Sequence, residues 1–175
     1  GVQTCALPIW TVIVDEKGVG RTLLHVAVDW PGHWPRAAET IGLLIAAGAD
    51  PNLPITGAGY HEERPLHGAA SSDDVIAIDT LLDGGADIEA PGAVFTGGAA
   101  MSDAVIFAQW KAARRLLERG AKTTFTQAAA LGLRGQVEAE LASGTWKAED
   151  ITKALWHAAR GGQRTIVEML VAAGG

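Results

Sequence analysis

His25, Asp29 and His33 follow one another at intervals of four residues. On an unbroken helix that spacing stacks three potential metal ligands on one face. Pro31 lies between the second and third, and proline ends or kinks a helix, so the metal-binding geometry is not expected to form. The other candidates for chemistry have plainer explanations. Ser71 and Ser72 precede Asp73 and Asp74, a cluster that suits turns and helix starts better than a nucleophile with its base. The glycine pairs 84–85, 97–98, 161–162 and 174–175 lack the preceding buried strand and the following lysine of a phosphate loop. Glu138 and Glu140 read as a solvated helix face. No catalytic residue, metal site or cofactor is expected, and the chain does not read as an enzyme.

The chain has 175 residues, 48% of them hydrophobic and 19% charged, which supports one folded domain rather than disorder. No apolar run reaches the roughly 18 residues of a membrane span, so no membrane partner is expected, and the expected location is the cytoplasm. Charge is uneven: residues 1–90 carry a net −9 and residues 91–175 a net +3. An acidic first half disfavours wrapping a nucleic-acid backbone, which takes a continuous basic stripe. The short basic run "KAARRLLERGAK", Lys111 to Lys122, reads as a helix face. Residues 1–9, "GVQTCALPI", resemble the translation of a sequencing adapter and are expected to be foreign to the protein, together with the single cysteine, Cys5.

The organisation lies in a repeat. "LLIAAGAD", "LLDGGADIE" and "LLERGAK" each place two leucines shortly before a glycine: Gly48, Gly85 and Gly120. Gly144 and Gly174 fit the same role. Glycine adopts the left-handed backbone that stops a helix. Upstream, "TLLHVAV" (from Thr22), "RPLHGAA" (Arg64), "AAMSDAV" (Ala99), "TTFTQAA" (Thr123) and "KALWHAA" (Lys153) precede their glycines by 26, 21, 21, 21 and 21 residues. Each unit reads as a short helix of small residues, a tight turn and a longer amphipathic helix.

"TLLHVA" and "RPLHGAA" resemble the Thr-Pro-Leu-His-x-Ala-Ala signature of ankyrin repeats, and "GADPN" and "GADIEA" resemble the segment leading into that repeat's turn. The Leu-His-x-x-x-Asp-Trp-Pro-Gly-His stretch also resembles bacterial members of the family. The resemblance implies an all-α ankyrin-repeat solenoid of about five helix-turn-helix units with short finger turns. The units fall at about 18–50, 60–88, 95–122, 123–145 and 150–175, within a domain of residues 10–175. It also implies that His25 and His67 tie each turn to neighbouring backbone.

Several features depart from the pattern. Unit 1 carries an insertion, "WPGHWPRAA", and "TGAGYHE" is expected to bulge from the following finger. Only three residues separate Gly120 from Thr123, so the finger of unit 4 should be missing. Ser102, Thr126 and Trp156 stand where the signature histidine is expected. The last helix pair, ending at Gly174, has no polar cap after it, so truncation is expected at the C-terminus, as the adapter-like residues 1–9 already imply for the N-terminus.

Trp110 is expected to pack between units and Trp146 to lie in the link before unit 5. Trp30 and Trp34 are expected to fold back over the insertion's own small core, with partner binding as the alternative. Carried over from the family, the surface positions are Val26, Asp29 and Trp30 in unit 1, with Trp34 beside them. Gly68, Ser71 and Ser72 follow in unit 2, Asp103, Ile106 and Phe107 in unit 3, and His157 and Arg160 in unit 5. These make a mixed surface suited to a protein partner with a basic or mixed patch, with Trp30 and Phe107 as anchors. A non-catalytic protein-binding module is the leading reading. A targeting arm of a larger enzyme and a purely structural spacer are the alternatives.

Overall fold

The computed structural model describes residues 13–16, 18–57 and 62–174. The adapter-like segment, Cys5, Trp10 and the middle of "TGAGYHE" lie outside the described residues. Two short antiparallel strands, β1 (Ile13–Val14) and β2 (Gly20–Arg21), come first, and Gly20 also bridges to Thr56 in the next finger. Five helix pairs follow: α1 (Leu23–Ala27) with α2 (Ala37–Ala46), α3 (Pro65–Ser71) with α4 (Val75–Asp83), α5 (Ala100–Ile106) with α6 (Trp110–Glu118), α7 (Phe125–Leu131) with α8 (Arg134–Ala142), and α9 (Ala148–Arg160) with α10 (Arg164–Ala172). The glycines at 48, 85, 120, 144 and 174 all take positive φ, and each stops a second helix as the spacing implies.

Stacking follows from residue size. Alanines at 69, 70, 104, 128, 129, 154 and 158 are buried on the first helices and let neighbouring helices approach closely. Leu24, Ile41, Leu66, Ile78, Leu81, Met101 and Leu116 fill one cluster that runs through the first three pairs and ends on Ala130 and Leu131. A second cluster, built on Phe125, Val137, Ile151, Ile166 and Leu170, belongs to the last two pairs. Leu133 touches both.

Two local registers differ from the repeat as read in sequence. In units 2 and 3 the first-helix cap precedes the left-handed turn residue by nine positions, Arg64 to Asp73 and Ala99 to Ala108. In unit 4 the cap is Thr124 rather than Thr123, and the turn residue is Gly132, eight positions on. Phe125 and Gln127 therefore turn inward, and Gln127 takes the place of the histidine that was assigned to Thr126. In unit 5, Lys153 does not begin the helix. The stretch 148–152 contains no helix breaker, and Asp150 accepts the Lys147 N–H at 3.4 Å, so α9 starts at Ala148, five residues before Lys153.

The expected loss of one finger is present. Gly120 passes to α7 through Ala121–Thr124 alone, whereas Gly85 is followed by fourteen residues before α5. In that long finger Gly92 and Ala93 pair with Gly97 and Gly98, closing a tight loop over residues 94–96. Gly92 sits so close to the preceding finger that a Cβ there would lie 2.3 Å from the Glu62 carbonyl oxygen.

Candidate partner-binding surface

The two signature histidines are brackets between units. His25 Nδ1 accepts the Thr22 N–H at 3.1 Å, and its Nε2 donates to the Glu63 carbonyl at 3.1 Å. His67 repeats the arrangement with the Arg64 N–H and the Gly98 carbonyl, each at 3.2 Å. Gln127 makes the local half of this bracket in unit 4, accepting from the Thr124 N–H, but its amide N–H reaches back to the Ser102 hydroxyl of the preceding unit rather than forward to the next. With both ring nitrogens engaged, each histidine has no lone pair free for a ligand. Burial lowers both histidines, His25 to about 4, so the rings are neutral. His33 sits apart in a left-handed turn, donating its N–H to Asp74 Oδ2 at 2.7 Å.

The insertion of unit 1 leaves its aromatics outside. Trp30 is 78% exposed and Trp34 46%, so the expected fold-back over an inner core is not seen. Trp34 is held by its indole N–H on the Asp29 carbonyl, 3.3 Å away. Asp29 also accepts the Trp30 N–H and pairs with Arg21 at 3.2 Å, while Val26 is exposed beside them. The insertion turns instead toward unit 2, where a Cβ on Gly32 would stand 2.7 Å from Ser72 Cβ.

That contact corrects one surface assignment. Ser72 is only 6% exposed, because Gly32 covers it. Asp103 is the second correction: it is fully buried, its Oδ1 accepting the Val94 N–H at 3.1 Å and its Oδ2 without a hydrogen-bond partner. The long finger folds over it, and desolvation raises its carboxyl to about 7. Gly68 and Ser71 are half-buried, Gly68 against Val28 and Ser71 with its carbonyl accepting the Gln109 side chain.

Ile106 and His157 are half-buried, and Phe107 and Arg160 are exposed. They surround features that the sequence reading passed over. Phe95, at the finger tip, is exposed and meets Phe107 with ring centroids 5.8 Å apart. An aromatic within the glycine-rich "PGAVFTGG" was the available signal. Trp156 is exposed, crosses His157 edge-on at 4.8 Å and carries the Arg160 guanidinium 5.2 Å above its ring. Between the long finger, α5, α7 and α9 lies a cavity of about 390 Å³ with Val105, Ile106 and His157 in its wall.

The remaining tryptophans have packing roles. Trp110 lies half-buried against the larger core, and Trp146 stacks on Phe125 at 4.7 Å. The basic run pairs sideways: Arg115 and Arg119 both reach Asp79, and Arg119 also reaches Asp83, joining α6 to α4. Asp74 caps α4 through the Ala77 N–H, and Asp73 accepts the Ala112 N–H of the next unit. Among the described residues no helix is long and apolar enough to cross a membrane.

The family model for the ankyrin repeat matches residues 19–55, which hold the first helix pair and the beginning of the finger after it. No curated protein matches the chain. The matched unit and the four pairs stacked behind it make the molecule an all-α ankyrin-repeat solenoid.

Proposed function

We propose that this protein is a non-catalytic binding module. It would hold a protein partner along the finger and first-helix side of the solenoid, in the cytoplasm and without metal, cofactor or nucleic acid. The observation that carries the reading is the placement of aromatics: Trp30 and Trp34 in the insertion, Phe95 and Phe107 at a finger and the end of α5, and Trp156 on α9 all reach solvent. Exposed aromatics supply large contact area at little entropic cost and are enriched among binding hot spots. The acidic Asp29 at one end and the cationic Arg160 at the other would fix the direction in which a partner lies.

The test is capture of partners by the purified chain, compared across variants. Proteins retained by wild type and by a control change on α6, Lys111→Ala, should be lost on Trp30→Ala with Phe107→Ala, while circular dichroism shows unchanged helix. Equal capture by all forms would defeat the proposal.

A further inference from the structure

Asp103 is fully buried on α5, with the Val94 N–H on Oδ1 at 3.1 Å and no partner on Oδ2. A neutral carboxyl suits that place, since Oδ1 accepts and Oδ2 carries the proton. A carboxylate does not, because one N–H is small compensation for the water lost around a full charge.

The surrounding groups deepen the penalty. Glu63, just before α3, adds a like charge, and no cation acts on Asp103 among the described residues. On α3, His67 is neutral and gives its Nε2–H to the Gly98 carbonyl. Arg64, which caps that helix, spends its guanidinium on the carbonyls of Asn52, Glu62 and Pro91. Helix α6 turns Ala112, Ala113 and Leu116 inward, leaves Lys111 and Arg114 exposed, and sends Arg115 and Arg119 to Asp79. Helix α7 holds no charged residue. In the finger, Asp87 accepts the Glu89 N–H, and Glu89 accepts that of Lys122. Burial, with Glu63 behind it, raises the Asp103 carboxyl to about 7.

Of the elements around Asp103, the finger tip is the one built to move. Its base is pinned, since Arg64 holds the Pro91 carbonyl and His67 the Gly98 carbonyl. Between these pins Gly92 and Gly97 take left-handed backbone, with φ of 138° and 68°, and the Gly92 N–H bonds the Gly97 carbonyl at 3.1 Å. Val94 is half-buried, and residues 95–97 are exposed. What ties this tip to α5 and its cap is the Val94 N–H on Asp103 and the Phe95 ring on Phe107. Helices α3, α6 and α7 instead carry the buried core.

We propose that the tip, residues 94–97, is a proton-linked flap. It lies shut over neutral Asp103, and each opening admits water to the carboxyl and releases its proton. Phe95 leaves Phe107 as the tip lifts, so a rise in pH parts these two aromatics. No partner is needed for the motion, which goes beyond the binding reading above and can be tested on the chain alone.

The direction follows from linkage. With the flap open, Asp103 returns to the ordinary aspartate value of about 4. With it shut the value is about 7. The opening equilibrium should therefore gain about tenfold per pH unit between these values and level off above them.

Hydrogen exchange of the Val94 and Gly97 amides in the full chain tests this, with the intrinsic rate at each pH divided out. Their protection should fall about tenfold per unit from about pH 5 to 7, the slope of one released proton. The amides of Ala69 and Ala70 in α3 should keep theirs, which separates flap opening from global unfolding. In Asp103→Asn the protection of Val94 and Gly97 should be the same at every pH. Wild-type protection that is flat from pH 5 to 7, or a fall that persists in Asp103→Asn, overturns the flap. Should Asp103→Asn fail to fold, Glu63→Gln decides. Removing the like charge must move the levelling-off to lower pH, and a profile identical to wild type overturns the flap equally.

Discussion

His67 donates from Nε2 to the carbonyl of Gly98, 31 residues further along the chain and 3.2 Å away. Its other nitrogen accepts the Arg64 N–H at the start of its own helix. One side chain thus ties the start of one unit to the start of the next. His67→Ala leaves a buried N–H and a buried carbonyl unpaired and opens a void. A loss of about 2–4 kcal/mol is expected in urea unfolding. His67→Gln should cost clearly less, since a glutamine at the same helix position, Gln127, accepts the cap N–H in unit 4 and still has an amide N–H to donate.

Two buried groups should give opposing pH dependences. The His25 value is lowered to about 4, so the unfolded chain binds its proton first. Its contribution is present above about 6.5 and is lost as pH falls toward 4. The Asp103 value is raised to about 7, so the native state holds a proton that the unfolded chain releases. Its contribution is present below about 4 and is lost as pH rises through 7. Between pH 4.5 and 6.5 the two slopes oppose each other. Asp103→Asn removes one of them: the variant's melting temperature should rise with pH across this window more steeply than that of wild type. It should also exceed wild type at pH 8. A variant profile parallel to wild type would show that Asp103 ionises freely.

Two glycines with different surroundings should respond in opposite directions to alanine. Gly135 lies within α8, and a Cβ there meets nothing within 4 Å. Gly135→Ala should stabilise by about 0.5–1 kcal/mol through helix propensity. At Gly161 a Cβ would lie 2.0 Å from the Ala130 carbonyl oxygen. Gly161→Ala must push α9 away from α7, and a loss above about 2 kcal/mol is expected in thermal melts.

Asp79 pairs with Arg115 and Arg119, and the two guanidinium groups hold its carboxyl below the usual range. The cluster is partly exposed, so Asp79→Ala should cost no more than about 1 kcal/mol. That difference should shrink as salt is raised, when wild type and variant are compared by urea unfolding.

The helix stops were legible because glycine at a left-handed position leaves a spaced signal, and the five at 48, 85, 120, 144 and 174 are where the spacing puts them. The bracketing histidines were legible for a similar reason, since their type and offset are fixed by one local geometry. Unit 4 was misread by one residue because Thr123 and Thr124 are adjacent and both can cap a helix. Only the burial of Phe125 and Gln127 decides between them. Ser72 and Asp103 were placed on the surface from the family pattern alone. What covers them, Gly32 of the insertion and the finger carrying Val94, depends on loop paths that have no period to read. The cavity wall was missed because it joins residues from four separate elements, none of which carries a motif.

The division of the core into two clusters bears on how the molecule opens. Units 1–3 share one body of apolar side chains and units 4 and 5 another, meeting at Leu131 and Leu133. Stacked repeats contact only their neighbours, so the thinnest junction sets the boundary of a cooperative block. Amide hydrogens from α7 to α10 would then exchange together, with one opening free energy, while those from α3 to α6 remain protected. The cavity beneath the long finger lies across that seam. Anything that filled it would lie against Ile106 of α5 on one side and α9 on the other, and would fasten the two blocks into a single unfolding unit.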